Sequence, residues 1–285
     1  MSGPPGPGGE EREVRVEVDG LGLHVRRRGP DGALPLVLLH GFPFSGAMWA
    51  PQLEGLSERR DVVAPDIRGH GRSDPGDGQV TIELFVDDLL RVLDHLRIGP
   101  VVGCGLSMGG YVLLRALERE PGRFLGAVLA DTRPGADDDA AKLARAEAVR
   151  SLRTEGAGPL AERLVPRVLG PTTLSSRPAV VRAVTDMILA NPVRGMAGAL
   201  LAMAARTDTT HVLPGLLMPV LAIAGEEDAL TPPDEARRMA KAAPDGRLVV
   251  IAGAGHVSSL ERPDAFNDAL RTFLDEVEGS RVAGR

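Results

Sequence analysis

Short, unbroken apolar runs constrain this chain more than any other feature of its sequence. Leu36-Val37-Leu38-Leu39, Val62-Val63-Ala64, Val101-Val102 and Ala127-Val128-Leu129-Ala130 lie in its first half. Val220-Leu221-Ala222-Ile223 and Leu248-Val249-Val250-Ile251 follow in its last third. A strand with one wet face alternates apolar and polar residues, whereas a strand covered on both faces does not. The runs therefore read as buried strands of a parallel sheet. Between them, Ile82, Phe85, Val86, Leu89, Leu93 and Leu96 recur at helical spacing among charges, and Met108 to Glu120 forms a second helical stretch. Strand–helix–strand alternation predicts an α/β fold with helices on both faces of the sheet.

Two departures from that pattern organise the rest. Before the first run, Val14, Val16 and Val18 alternate with charges, and Leu21, Leu23 and Val25 do the same after Asp19-Gly20, which predicts a half-exposed hairpin. After Asp131 the alternation stops. Residues 136–207 carry only helical signals, broken at Gly156-Ala157-Gly158, Gly170-Pro171 and Asn191-Pro192. The expected organisation is a disordered N-terminus (1–12), a core built from 13–131 and 212–277, an inserted helical cap (132–211) and a disordered C-terminus (278–285).

Composition narrows the class of function. With 285 residues and 43% hydrophobic content the chain has ample material for a core. A formal net charge of -6 with no dominant basic stripe excludes nucleic acid as an expected partner. Lys142 and Lys241 are the only lysines, so the cations are nearly all arginines, an expected mark of base composition rather than mechanism. Cys104 is the only cysteine, which rules out an intrachain disulfide. No apolar run approaches the roughly 18–20 residues of a membrane span. Met1 to Glu11 lacks the basic end and apolar core of a signal peptide, so a cytoplasmic location is expected.

The chemistry is carried by three strand ends. Gly105-Leu106-Ser107-Met108-Gly109 has the G-x-S-x-G form of a nucleophile elbow, set between a buried strand and a helix. A serine on so sharp a turn crowds the positions two residues away on either side, and glycine at both relieves the clash. A serine hydroxyl needs a base. Of six histidines, His24, His95 and His211 read as surface or packing residues, and His70 suits a structural role in the turn-rich loop 66–74. His40 suits an anchor for its own loop. His256 alone follows a buried strand directly, on the glycine-rich loop 252–255. At the carboxyl edge of a parallel sheet, that is where functional crevices form. Asp228, just past the preceding strand, is the expected carboxylate to orient the imidazole, with Asp131 as a rival and Glu226 and Glu227 as neighbours. Stabilising an oxyanion requires N–H donors; Met108 follows the nucleophile, and Phe42 in the His40-Gly41-Phe42-Pro43 loop is the natural second.

Taken in order, the 40–43 loop, the 66–74 segment, Gly-Leu-Ser-Met-Gly-Gly at 105–110, Gly225 to Asp228 with Thr231-Pro232-Pro233, and Gly255-His256 resemble the α/β-hydrolase superfamily over residues 13–276. The segments around Ser107 and His256 are similar to 3-oxoadipate enol-lactonases, cofactor-free haloperoxidases (perhydrolases) and small carboxylesterases. The resemblance implies a mostly parallel eight-stranded sheet with a helical cap between strands six and seven. Serine at position 107 argues against the aspartate-nucleophile branches of the superfamily. Phe44 and Trp49 suit a pocket wall and a core position equally; Trp49 is assigned, with Phe42 and Met108, to the substrate pocket. The expected activity is hydrolysis of small, largely apolar carboxylic esters by Ser107, His256 and Asp228 through an acyl-enzyme, with no cofactor and no metal. A homo-oligomer is left open. Perhydrolysis and enol-lactone hydrolysis are the expected variants, and a ligand receptor with little turnover is the reading from another class.

Overall fold

A computed structural model describes residues 9–283. Its sheet has eight strands in the order β1-β2-β4-β3-β5-β6-β7-β8. They are β1 (Arg12–Val18), β2 (Leu21–Arg28), β3 (Leu34–Leu39), β4 (Arg60–Pro65), β5 (Val101–Leu106), β6 (Phe124–Ala130), β7 (Val220–Gly225) and β8 (Gly246–Ile251). β2 pairs antiparallel with β1 and β4, and every other pairing is parallel. The helices outside the insertion are α1 (Ala50–Leu56), α2 (Ile82–His95), α3 (Met108–Arg119), α9 (Pro233–Ala242), α10 (Ser258–Glu261) and α11 (Pro263–Ala283). Between β6 and β7 lie α4 (Asp139–Glu155), α5 (Gly158–Val168), α6 (Pro171–Ser176), α7 (Pro178–Ala190) and α8 (Val193–Ala205).

The unbroken apolar runs follow from two separate cores. Val37 and Leu39 of β3 face one core with α2, α3 and α9, while Leu36 and Leu38 face the other with α1 and α11. Period-two alternation still operates along each strand, but both of its phases are dry.

The chain order fixes where a site forms. From β3 the chain moves to β4 on one side, then crosses to β5 on the other. β3 and β5 are direct neighbours, with Leu38 opposite Cys104 and Leu39 opposite Gly105. The loops leaving their carboxyl ends therefore diverge and open a crevice there.

Several expectations change at the edges. Residues 1–8 of the expected disordered N-terminus lie outside the described residues, but Arg12 already belongs to β1. The expected disordered tail is corrected: α11 runs to Ala283, because Phe266, Leu270, Phe273, Leu274 and Val277 bury one face and carry the helix onward. The hairpin is half exposed only on β1. Antiparallel pairing of β2 with β4 takes His24 into the interior, at 7% exposure. Among the described residues no single helix is long and apolar enough to cross a membrane; α7 and α8 reach that composition only jointly, and they are bent by 96°.

The insertion docks backbone to backbone. A Cβ on Gly195 in α8 would fall on the Gly69 carbonyl, and one on Gly198 would lie 2.7 Å from Gly78 O. Replacing a helical glycine by alanine ordinarily gains up to about 1 kcal/mol, but overpacking costs about 1–3 kcal/mol. Gly195→Ala is therefore expected to lower Tm and to speed proteolysis within 139–205. A variant that melts at or above the parent temperature would show that the contact is not tight.

Candidate active site

β5 ends in Leu106, and Ser107 follows at φ 53°, ψ -113°, a left-handed conformation that side chains rarely adopt. The turn is affordable because its neighbours have no side chains. A Cβ on Gly105 would strike the Gly109 carbonyl, and one on Gly109 would strike Leu39 O. Ser107 N donates to Ala130 O at 3.0 Å, and Thr132 Oγ1 donates to Ser107 O at 2.8 Å, so the next strand holds the turn from outside.

The structure brings Ser107, His256 and Asp228 together from three strand ends. His256 Nε2 lies 2.8 Å from Ser107 Oγ, and His256 Nδ1 lies 2.8 Å from Asp228 Oδ2. Asp228 is held in turn: Leu230 and Thr231 N–H donate to Oδ1 at 2.8 and 3.0 Å, and Thr231 Oγ1 donates to Oδ2 at 2.6 Å. Each of these bonds favours the charged carboxylate. Burial works against ionisation of Asp228, yet the His256 imidazole and the Thr231 donors outweigh it and hold the carboxyl below its ordinary pKa. Burial likewise opposes an imidazolium at His256. The adjacent Asp228, with Asp131 and Glu261 behind it, overcomes that and raises the His256 pKa.

The rival acids are occupied elsewhere. Asp131 Oδ1 accepts from Gly225 N at 2.8 Å and Oδ2 from Ser258 Oγ at 2.5 Å, a brace between the ends of β6 and β7. Burial, reinforced by the nearby Asp228 charge, pushes its pKa up to about 8. Glu226 accepts from Gly253 N, and Glu227 accepts from Thr172. The other histidines stay away from Ser107. His40 Nδ1–H donates to Gly41 O and Nε2 accepts from Ile67 N, both at 2.9 Å, which ties two loops together. His70, packed against His40 and Phe42, is pushed down to about 3 by burial. His24 bonds Asp66 at 3.0 Å, and His211 bonds Glu118 at the surface.

The loop after β3 lies directly on the elbow: a Cβ on Gly41 would come within 3.3 Å of Ser107 Cβ. Met108 is the first residue of α3, so its N–H has no acceptor within the helix. Phe42 lines a cavity of about 720 Å³ whose floor is Ser107 and His256 and whose walls include Leu160, Val168 and Met203 of the insertion. Two assignments to that cavity are corrected. Trp49 is wholly buried, its ring centroid 5.9 Å from that of Phe266, because the short turn 46–49 leads straight into α1 and places the ring in the core shared with α1 and α11. The Met108 side chain is equally buried, in the core beneath α3. Only the Met108 backbone is left near the site.

Three residues that hold the site carry no sequence signal of that role. Glu261 accepts from Gly255, Val257 and Gly170 N–H, fastening the His256 loop to the insertion. Asn191 donates to Pro43 O at 2.7 Å and accepts from Gly71 N at 2.6 Å, clipping the α7–α8 junction to the Phe42 loop. Asp66 accepts from Gly46 N at 2.6 Å and Arg72 N at 2.8 Å. An isolated acid or amide in sequence looks alike whether solvated or buried. Asn191 did stand out, but only as an Asn-Pro break.

Residues 35–263 match the model of a family described as the alpha/beta hydrolase fold, and the chain belongs to that family of hydrolases. It is similar to a thermophilic esterase from Thermogutta terrifontis, solved with malate bound: 37% identity, TM-score 0.89, covering 93% of this chain and 99% of that one. It is also similar to the enol-lactonase from Burkholderia xenovorans, at 31% identity and TM-score 0.86 over 92% of this chain and all of that one. Among curated proteins, 3-oxoadipate enol-lactonase 2 of Acinetobacter baylyi is 29% identical over 228 residues, 80% of this chain and 84% of its own.

The electrostatics lead to a direct measurement. Followed by NMR, the His256 imidazole is expected to titrate above the ordinary value of about 6.5. In Asp228→Asn the raising charge is gone while burial remains, so the midpoint falls. An unchanged midpoint in that variant would mean that Asp228 does not govern the imidazole.

Proposed function

We propose that this hydrolase cleaves carboxylic esters, lactones included, with Ser107 as nucleophile, His256 as general base and acid, and Asp228 as the orienting carboxylate. The observation that carries the reading is the hydrogen-bonded line Ser107 Oγ–His256–Asp228, 2.8 Å at each step. With Nδ1–H donating to Asp228, the neutral imidazole has its Nε2 lone pair facing the serine hydroxyl, the tautomer a base requires.

Ser107 Oγ attacks the acyl carbon as its proton passes to His256 Nε2. The tetrahedral oxyanion is held by the Phe42 and Met108 N–H groups, each donor worth about 3 kcal/mol of barrier in such sites. His256 then protonates the departing oxygen. Water repeats the sequence on the acyl-enzyme and releases the acid and Ser107. The inserted helices act as a cap: α4, α5 and α8 line the cavity above Ser107 and leave it open to the water that deacylation needs. Lactone hydrolysis is favoured as a variant by the two enol-lactonase relatives, because the same attack opens a cyclic ester.

Ser107→Ala is expected to keep its fold and lose p-nitrophenyl ester turnover by at least about 10³-fold. A folded, fully active variant would falsify the nucleophile assignment. Tight ligand binding without multiple turnover in the parent protein would favour the receptor reading instead. For the active enzyme, kcat/KM falls as pH drops, because a protonated His256 cannot accept the serine proton. Since the His256 pKa is raised, the midpoint of this acidic limb lies above about 6.5. A profile flat from pH 5 to 8 is the contrary result.

A further inference from the structure

A second cavity, of about 540 Å³, opens between β1, β2, the loop after β4 and the end of α7. It shares no lining residue with the cavity above Ser107. Its wall holds the His24 imidazole, whose side chain is only 9% exposed and whose Nδ1 lies 3.0 Å from Asp66 Oδ2. Burial opposes ionisation of Asp66, yet the His24 ring and the Arg72 and Gly46 N–H groups outweigh it and hold the carboxyl below its ordinary pKa. A carboxylate only accepts, so Nδ1 carries the hydrogen and the neutral ring has its lone pair on Nε2. That Nε2 is buried without a hydrogen-bond partner among the described residues. The nearest carboxylate oxygen on that edge, Glu13 Oε1, is 3.8 Å away and is itself an acceptor. Buried polar atoms are normally paired, and this one calls for a donor.

The charges around the cavity point the same way. Its two arginines are already engaged: Arg26 donates through Nε and Nη2 to Glu11, and Arg72 donates through Nη1 to Glu13. Asp186 of α7 also lines the cavity and joins no ion pair among the described residues. It stands in the last turns of a 13-residue helix whose carboxyl end carries no basic side chain. A helix end of that kind favours a cation. What the wall lacks is therefore an N–H donor with a positive charge. Met187 and Ala190 add an apolar face beside it. Among the described residues no group of three His, Cys, Asp or Glu is arranged to hold a metal ion, so the matching cation is an organic one.

We propose that this cavity is a second ligand site, separate from Ser107, and that it takes a primary alkylammonium ion. One N–H of the ligand donates to His24 Nε2. Its charge faces Asp186 and the carboxyl end of α7, and its alkyl chain lies along Met187 and Ala190. Small movements of the exposed Glu13 and Arg72 side chains open the way to Nε2. A charged donor paired with a buried acceptor makes a stronger bond than a neutral one, which sets the preference for an amine over an alcohol. The ligand also rests against Asn191, which lines the cavity, donates to Pro43 O and accepts from Gly71 N. The site thus adjoins the clip that holds the Phe42 loop.

The test follows the His24 ring nitrogens and the Gly71 amide by nitrogen NMR in the full chain as butylammonium chloride is added. A saturable shift of Nε2 toward its hydrogen-bonded position is expected, with a Kd of about 10 mM or below. Butyltrimethylammonium keeps the charge and chain but has no N–H, and butanol keeps a donor without the charge. Each is expected to bind at least about tenfold more weakly. Asp186→Asn, an exposed position, is expected to raise the butylammonium Kd by about threefold or more, an effect that fades with added salt. The absence of a saturable Nε2 shift in the parent protein overturns the site. Equal binding of butyltrimethylammonium overturns it too, since that reports only a general attraction of cations to an acidic chain. So does an unchanged affinity in Asp186→Asn, or a preference for butyrate, which would mean that the arginines are the available groups. Ester turnover enters neither arm, so a failure of the esterase reading and a failure of this site are separate results.

Discussion

The structure depends on the parallel pairing of β3 with β5. Because β3 sits between β4 and β5, the chain leaves these two adjacent strands in different directions, and a crevice opens at their carboxyl ends. The Phe42 loop comes from one strand and Ser107 from the other, at a separation set by the backbone hydrogen bonds of the sheet rather than by loop packing. The elbow is the most constrained point of this arrangement. A left-handed serine survives only because Gly105 and Gly109 let backbone lie against backbone, and because Ala130 O and Thr132 hold the turn from β6. Strain at Ser107 is thus balanced by contacts from the neighbouring strands.

Buried carboxylates do for the loops what the sheet does for the strands. Asp66 gathers N–H groups from the loops after β3 and β4, Asp131 joins the ends of β6 and β7, and Glu261 joins the His256 loop to the insertion. Taking a carboxylate out of water is costly, and charge-assisted bonds from several N–H groups are what make it tolerable. Such braces suit a reactive centre. They fix loop position without filling the cavity above it, and Glu261 and, once ionised, Asp131 also raise the His256 pKa.

The inserted helices divide the labour. α8 is locked down through Gly195 and Gly198, and Asn191 clips its start to the Phe42 loop. α4 is largely exposed and meets solvent along most of its length, yet it contributes Arg145 to the cavity wall. One side of the insertion is therefore part of the core's architecture, and the other shapes what the cavity admits. That division lets the same segment both clip the Phe42 loop and line the cavity above Ser107.

The sequence by itself determined the strand runs, the inserted helices, the elbow glycines, and the placing of Ser107, Asp228 and His256 at three strand ends, because each is written in local spacing and local sterics. It also singled out His40 as an anchor, since loop chemistry is local too. What only the tertiary structure decided lies in long-range meetings. Trp49 and the Met108 side chain went to the core, since an aromatic or a methionine near a site reads the same whether it faces a cavity or a sheet. The α11 tail stayed helical because residues far upstream cover its apolar face. The buried carboxylate of Asp137 meets not only its near neighbour Arg133 but also Arg145 of α4 and Arg206 beyond α8. A single arginine in sequence does not show which carboxylate it will meet, because Coulomb and hydrogen-bond energies depend on distance in space, not on distance along the chain.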